Sequence, residues 1–266
     1  APPPPTTTTT TPRPRLPPLP AAGAPTLFCW LVALLDTPEF DLVRVALANR
    51  VSVFSCDDGM LFSSRAEVVV PGELAPGGLR DVAMDGEVWR TTTLNRPLSV
   101  VAPEADAVEH IMNSAIFMQA WRQLHEDGRF KQYAWTVKAD PDTVFFGDRV
   151  RALLQPLEQA GMSYIRNCDQ SFGFYGALEV VSREAVEAYV LGEARCRGAL
   201  EFSKLGEDLW LKECFDQLGF TKVTLLEILE DAYCAGHPYP CKSGRAAFHP
   251  FKAALNFVQC THDAMA

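Results

Sequence analysis

Apolar and polar positions follow one another along this chain in blocks that predict alternating strands and helices. Residues 26–35 are almost wholly apolar, which is typical of a strand buried on both faces of a sheet. Apolar residues then recur at helical spacing over 38–50, with Thr37 as the expected N-cap and proline at the first helical position. A further strand is predicted at 51–55. Strand, helix and strand in so short a span predict a βαβ unit and a parallel sheet.

The same alternation continues towards the carboxyl end. Further strands are predicted at 67–70, 98–101, 133–137, 163–166 and 221–226, with another inside 172–181. Helices are predicted at 105–127, after Asp148 as an N-cap, at 183–191 after Ser182, and from Gly206 onward. The predicted fold class is α/β with a parallel sheet, and the length fits one large domain or two small ones.

The strand predicted at 133–137 leads into Lys138 and then into the acids Asp140 and Asp142, with proline between the acids and an apolar run directly after them. Two carboxylates at the end of a buried strand are costly unless a cation meets them. A divalent metal that carries a phosphate is one such cation. An Asp-x-Asp sequence alone is a weak signal, and its position between two apolar runs strengthens it. Lys138 or Lys252 could add positive charge there, or could simply be solvated.

Three other segments contain residues that could bind a ligand or act in catalysis. Asp57 and Asp58 follow the strand predicted at 51–55, where ligands of parallel sheets gather, so they are candidates for contacting a nucleoside. A tight Asp-Gly turn explains them equally well. Asp208 follows Glu207 in the first turn of a predicted helix, where the helix dipole alone favours acids. His249 lies among aromatic residues and is either a metal ligand or a packed core histidine.

Composition narrows the class of protein. The net charge of −9 argues against a nucleic-acid partner, because such proteins need a basic face. Residues 1–25 are rich in Pro and Thr and are expected to form a disordered linker or stem, which leaves 26–266 as the folded domain. No apolar run approaches the roughly 18 residues of a membrane span, so no transmembrane segment is predicted in this chain, and any anchor would lie outside it.

The eight cysteines contain no Cys-x-x-Cys pair, which makes a zinc ribbon improbable. An even number suits a protein of the secretory pathway with several disulfides, although the sequence does not assign their pairing. Disulfides are favoured for Cys234, Cys241 and Cys260. For the cysteines before Cys168, disulfides and buried thiols are equally consistent with the pattern.

Four segments together resemble fringe-type and core galactosyltransferase-type glycosyltransferases. Residues 135–144 are similar to that family's metal-binding motif, in which Lys-Ala precedes an acidic triplet and Thr. In the same order follow a Gly-Ala step into an apolar strand at 172–182, a Glu-Asp motif at 206–210 and Phe-His-Pro-Phe at 248–251. The amino-terminal third matches only in outline. This chain departs from the family at Pro141, which stands where the middle acid is expected.

The resemblance implies a GT-A fold, which is a single Rossmann-like α/β domain with a central, mostly parallel sheet flanked by helices. It also implies a nucleotide-sugar donor, expected to be a UDP-sugar, with Mn²⁺ or another divalent cation. It places the metal on Asp142 and His249, and has Asp140 bind the metal through water or hold the ribose. Asp208 would be the general base. The implied reaction is an inverting transfer to a hydroxyl of a glycan or glycoprotein acceptor, in the Golgi lumen.

Two other functions are consistent with parts of the pattern. A non-catalytic carbohydrate-binding or scaffold domain of the same fold would explain Pro141 and the long Pro/Thr-rich tail. A metal-dependent phosphohydrolase could use Asp140 and Asp142, but it would need a larger cluster of acids and histidines than this chain offers.

Overall fold

The computed structural model describes residues 23–83, 88–94, 114–157, 161–171, 173–201, 205–235 and 240–266. The strands within these residues are β1 Leu27–Val32, β2 Asp58–Ser63, β3 Gly72–Ala75, β4 Gly78–Asp81, β5 Thr91–Thr93, β6 Trp135–Ala139, β7 Val144–Phe145, β8 Ser163–Arg166, β9 Leu178–Ser182, β10 Thr221–Thr224, β11 Leu229–Glu230 and β12 Ala247–Phe248. The helices are α1 Pro38–Asn49, α2 Ser114–Asp127, α3 Gly147–Leu154, α4 Arg183–Ala199, α5 Glu207–Gln217, α6 Ala232–Ala235 and α7 Ala254–Met265.

The central sheet of the described chain has seven strands in the order β10-β8-β9-β6-β1-β2-β5. Six of them run in one direction, and β9 is antiparallel to both of its neighbours, β6 and β8. The sheet is therefore mostly parallel, with helices on both faces, and the predicted α/β fold class is confirmed.

Alternate residues of the central strands separate the two layers of core. Phe28 and Trp30 of β1 pack with residues of α2, α4 and α5 on one face, where the Trp30 and Trp121 rings meet edge to face at 4.8 Å. Leu27, Cys29 and Leu31 point to the opposite face, against α1 and α3. This alternation is why β1 is apolar at nearly every position, as the sequence pattern predicts for a central strand.

A second, three-stranded sheet has the order β11-β12-β7. β7 pairs antiparallel with β12, so that Val144 lies opposite Phe248, and β11 pairs parallel with β12, so that Glu230 lies opposite Phe248. The start of β7 and the ends of β11 and β12 therefore meet at one point. The residues that flank those three positions are Asp142, Asp231 and His249.

The prediction of a strand at 51–55 is wrong. Ser52–Ser55 is a turn of 3₁₀ helix, and the strand is β2, which begins at Asp58 instead of ending before it. Ser52 has a positive φ of 55°, and its hydroxyl donates to the Thr143 carbonyl at 2.6 Å, which turns the chain inward. A short apolar run is compatible with either structure, and here contacts distant in sequence decide.

Other predicted elements are confirmed with shifted ends or are corrected. Residues 163–166 form β8 as predicted, Ser182 caps α4 by accepting from the Ala185 amide, and α4 runs on to Ala199. Residues 67–70 form a single bridge between Val68 and Arg90, not a strand, and α3 begins at Gly147, so Asp148 lies in its first turn and not at the N-cap. The strand predicted at 98–101 and most of the predicted tail lie outside the described residues, as does the first part of the helix predicted at 105–127.

All eight cysteines are paired, in the disulfides Cys29–Cys56, Cys168–Cys234, Cys196–Cys214 and Cys241–Cys260. The disulfides favoured for the late cysteines are confirmed, and the alternative left open for Cys29 and Cys56 is decided for a disulfide. Such pairing is typical of secreted and secretory-pathway proteins. In the part of the chain that is described, no helix combines the length and apolarity needed to cross a bilayer.

Candidate metal and catalytic site

The carboxyl end of β6 and one end of the small sheet bring Asp140, Asp142 and His249 together. One possible ligand atom from each residue lies within 4.8 Å of the others. Backbone hydrogen bonds fix the segment, since the Asp140 amide donates to the Ala177 carbonyl at 3.2 Å and the Phe251 amide donates to the Asp142 carbonyl at 3.0 Å. The three residues predicted from the sequence as a metal site are thus neighbours in space.

Asp142 is the most enclosed of the three, with a side chain only 5% exposed. Its Oδ2 lies 3.4 Å from His249 Nε2 and 2.6 Å from the ammonium of Lys252. Burial alone would raise the pKa of Asp142, but the interactions with His249 and Lys252 outweigh burial and lower this pKa to about 2. Asp142 is therefore a carboxylate at any physiological pH.

Asp231 orients the ring of His249. His249 Nδ1 lies 2.6 Å from Asp231 Oδ2 and donates to it, which turns Nε2 towards Asp142. Burial would lower the pKa of His249, yet Asp142 and Asp231 together raise it to about 9. A carboxylate behind the second ring nitrogen is the usual support of a metal-binding histidine. No sequence signal points to Asp231, because its position depends on the pairing of β11 with β12.

Lys138 lies in the protein interior, with a side chain 2% exposed. Its ammonium is 2.9 Å from Asp140 Oδ1, 3.3 Å from Glu207 Oε2 and 3.7 Å from Glu179 Oε1, and it donates to the Gly176 carbonyl at 2.8 Å. Burial would lower the pKa of Lys138, but these carboxylates raise it well above its ordinary value. The ammonium, which the sequence suggested as a contact for the nucleotide-sugar, is occupied by these protein groups, so Lys138 links Asp140 to the interior.

Glu179 and Glu207 form a buried carboxyl pair that sequence reasoning missed. Glu179 faces Lys138 across the β6–β9 pairing, and Glu207 reaches the same ammonium from the first turn of α5. Burial and the mutual repulsion of the carboxylates raise the pKa of Glu179 well above its ordinary value, and burial also raises that of Glu207. The only available signal was Glu179 itself, an acid in an otherwise apolar strand.

Asp208 is held at the start of α5 beside this cluster. Its Oδ1 accepts from the Leu209 amide at 2.7 Å, and its Oδ2 accepts from the Gly176 amide at 3.2 Å. Gly176 precedes Ala177, whose carbonyl accepts from the Asp140 amide, so Asp208 lies next to the segment that carries Asp140 and Asp142. Burial raises the pKa of Asp208 despite both backbone hydrogen bonds. The carboxylate is therefore fixed in position and more basic than an exposed aspartate.

Asp57 and Asp58 lie at the amino ends of the parallel strands, whereas Asp140 follows the carboxyl end of β6. Asp58 is opposite Phe28, near the amino ends of β1 and β6, roughly 13 Å along the strands from Asp140 at about 3.3 Å per residue. Arg129 and Tyr133 bind the Asp58 carboxylate at 2.6 and 3.2 Å, whereas Asp57 accepts from the Leu27 amide and pairs with Arg151. The structure does not bring these acids to Asp140, Asp142 and His249, because residues 52–55 form a 3₁₀ turn and the strand β2 begins at Asp58.

Tyr175 and Tyr233 stack on one another at the border of the site, with ring centroids 5.6 Å apart. Tyr175 also meets the His249 ring edge to face at 5.8 Å, and Tyr233 is largely exposed. Burial raises the pKa of Tyr175, and the charges of Asp231, Asp140 and Asp208 raise it further. Neither ring belongs to a motif that the sequence reveals.

The donor groups of this cluster fit a divalent cation. Two carboxylates and an imidazole offer the oxygen and nitrogen ligands that Mn²⁺ accepts. Asp142 Oδ2 is closed to solvent, and the Lys252 ammonium at 2.6 Å and His249 Nε2 at 3.4 Å place positive charge beside it. A buried carboxylate oxygen that already faces cationic groups is suited to coordinate a metal in their place.

No protein-family model and no curated protein matches this chain. Among solved structures the chain is similar to the crystal structure of a glycosyltransferase involved in the glycosylation of the major capsid of PBCV-1, with a TM-score of 0.46 and 9% sequence identity. The match covers 90% of this chain and 100% of that chain. A likeness this distant leaves the function to be inferred from the residues of the site itself.

Proposed function

We propose that this chain is a divalent-metal-dependent, inverting glycosyltransferase of the GT-A class, related to the fringe and core galactosyltransferase type. Its donor is a nucleotide-sugar, most simply a UDP-sugar, and its acceptor is a hydroxyl of a glycan or glycoprotein. The observation that carries the proposal is the meeting of Asp140, Asp142 and His249 within 4.8 Å, with Asp208 fixed beside them. The four disulfides are consistent with work in the secretory pathway, which we take to be the Golgi lumen.

Each residue of the candidate site has a distinct part in this reaction. Asp142 and His249 would hold a divalent cation, with Asp140 beside them, and such a cation stabilises the charge that develops on the leaving diphosphate. Asp231 keeps the His249 ring turned towards that position. Lys138 holds Asp140 in place, and through the Gly176 peptide it is connected to the carboxylate of Asp208.

Asp208 would accept the proton of the acceptor hydroxyl as that oxygen attacks the anomeric carbon. Burial raises its pKa, which strengthens it as a base, and two backbone amides hold its oxygens in place. A single base without a protein nucleophile gives a product with inverted configuration, because the sugar is displaced once, through an oxocarbenium-like state.

Mn²⁺-dependent nucleotide release from a panel of UDP- and GDP-sugars tests the proposal. Asp142→Asn should lower turnover by at least about 10³-fold and abolish metal-dependent UDP binding, whereas Asp208→Asn should keep UDP binding and lower transfer by roughly 10²- to 10⁴-fold. Asp148→Asn changes a fully solvated acid in the same way and serves as the control. Wild-type turnover in Asp142→Asn would refute the metal assignment.

A non-catalytic carbohydrate-binding or scaffold domain is the second candidate, and one contact favours it. The ammonium of Lys252 lies 2.6 Å from Asp142 Oδ2, so a tethered cation already satisfies the carboxylate on which a metal would depend. Calorimetry with UDP and Mn²⁺ separates the two functions. Metal-dependent UDP binding supports the enzyme, and saccharide binding without any response to Mn²⁺ or UDP supports the scaffold.

A further inference from the structure

The ammonium of Lys252 cannot keep its position if a metal ion binds to Asp142 Oδ2. Its Nζ lies 2.6 Å from Asp142 Oδ2, in the first coordination sphere of that atom. A divalent cation bound to Oδ2 would have to take up this same space, and its charge would repel the ammonium. Lys252 and a metal are therefore competitors for Asp142.

The two partners of this ion pair differ sharply in their freedom to move. The Asp142 side chain is 5% exposed, whereas that of Lys252 is 79% exposed, with only its ammonium drawn to the carboxylate. The backbone on either side is fixed, because the Phe251 amide binds the Asp142 carbonyl and α7 begins at Ala254. A long, solvated side chain on an anchored backbone can leave its partner without any change in the fold.

The charges around Lys252 keep the ammonium close to the site after it leaves Asp142. The ammonium of Lys252 is charged at neutral pH like that of any exposed lysine, and it interacts with Asp142, Asp140 and Glu39. An ammonium displaced by a divalent cation remains within reach of whatever anion that cation binds. The phosphate oxygens of a nucleoside diphosphate are such an anion, and a lysine ammonium is a common partner for them.

We propose that the ammonium of Lys252 occupies the metal's place on Asp142 when no metal is bound, and moves to the diphosphate of the nucleotide when a divalent cation takes that place. Because of this exchange, Lys252 weakens the binding of metal when no nucleotide is present. It strengthens the binding of nucleotide when metal is present. Metal and nucleotide are thereby favoured as a pair over either one by itself. The inference rests on the proposed function for the identity of both ligands.

Mn²⁺ binding without nucleotide tests the first half, with free Mn²⁺ measured by electron paramagnetic resonance. Lys252→Met removes the charge and keeps the length of the side chain, so affinity for Mn²⁺ should rise about tenfold. Lys252→Arg keeps the charge, so its affinity for Mn²⁺ should rise much less than that of Lys252→Met. Lys242→Met, a change of the same kind at an exposed lysine near Asp263, should leave the affinity unchanged.

Calorimetric titration of UDP at saturating Mn²⁺ tests the second half and should show the opposite sign. Lys252→Met should bind UDP about tenfold more weakly than the wild type, while Lys242→Met should match the wild type. An unchanged UDP affinity in Lys252→Met would overturn the assignment of the lysine to the diphosphate.

The failure of this inference can be told from the failure of the proposed function. Unchanged Mn²⁺ affinity in Lys252→Met, in a protein whose Mn²⁺ binding is abolished by Asp142→Asn, overturns the exchange and leaves the metal-dependent function in place. Absence of Mn²⁺ binding from both the wild type and Lys252→Met overturns the exchange and the proposed function together.

Discussion

One ammonium and three carboxylates share the space behind the candidate site. Lys138 contacts Asp140, Glu179 and Glu207, and Glu179 is fully closed to solvent. A single positive charge cannot neutralise three carboxylates when water cannot reach two of them, Glu179 and Glu207, so this pair retains a proton that an exposed pair would lose. The site is therefore backed by a buried carboxyl pair that binds a proton more tightly than exposed glutamates do.

Glu179→Gln should make the stability of the protein less sensitive to pH. Between the ordinary value of 4.5 and the raised native pKa, the folded chain holds a proton that the unfolded chain does not. Stability therefore falls as pH rises through that interval. Glutamine imitates the protonated acid, so the difference in Tm between Glu179→Gln and wild type should grow with pH. Each unit of pKa elevation corresponds to about 1.4 kcal/mol, or roughly 3 °C for a domain of this size.

Thermal unfolding followed by circular dichroism from pH 4.5 to 8 measures this difference. Glu227→Gln changes an exposed acid and should show a Tm difference that does not vary with pH. A Tm difference that stayed constant with pH for Glu179→Gln as well would contradict a shared buried proton.

Among individual residues of the candidate site, the sequence identifies those that belong to a local motif. Asp140, Asp142 and His249 were found because an acidic pair at the end of a strand and a histidine in an aromatic segment are visible locally. Asp231 and Glu179 were not found, since their roles arise from the pairing of β11 with β12 and of β6 with β9. Asp57 and Asp58 were misplaced because the same acids suit the start of a strand as well as its end.

The small sheet is the element on which the site depends. β7, β11 and β12 contain two residues each, too few to produce an alternating pattern that a sequence could reveal. The longer strands β1, β6 and β8 and the helices α1, α4 and α5 were predicted, because their apolar positions follow a clear period. The centre of the sheet is thus predictable from local pattern, whereas the elements that join Asp142 to His249 are set by tertiary contacts.

The disulfide Cys168–Cys234 anchors the segment after β11 that carries Asp231. Replacing both cysteines by serine should lower the free energy of unfolding by about 2–4 kcal/mol, because the bond closes a loop of 66 residues. The segment should also hold His249 less firmly, and metal affinity should fall by about tenfold. Chemical denaturation and Mn²⁺ titration measure the two effects.

Cys196–Cys214 provides the matched control, since it joins α4 to α5, apart from the small sheet. Its double serine variant should lose stability while keeping its affinity for Mn²⁺. Equal loss of metal affinity in both variants would mean that the effect reflects general loosening of the fold and not the position of Asp231.

Charge balance governs the behaviour of the whole molecule at the site. The chain has a net charge of −9, and Asp140, Asp142, Asp208 and Asp231 gather at one end of its sheets. Acids collected in this way repel one another in the absence of a ligand, so a bound divalent cation should stabilise the folded state as well as prepare it for a diphosphate.

Mn²⁺ and UDP together should therefore raise the Tm of the wild-type protein more than either alone. A ligand at one hundred times its dissociation constant adds about 2.7 kcal/mol of stability, which corresponds to roughly 5–10 °C for a domain of this size. Asp142→Asn should show almost none of this rise, because the cation loses its most enclosed ligand. Scanning fluorimetry with Mg²⁺, Ca²⁺ and Mn²⁺ in parallel identifies the preferred cation, and an equal rise in Tm for Asp142→Asn would place the metal elsewhere in the molecule.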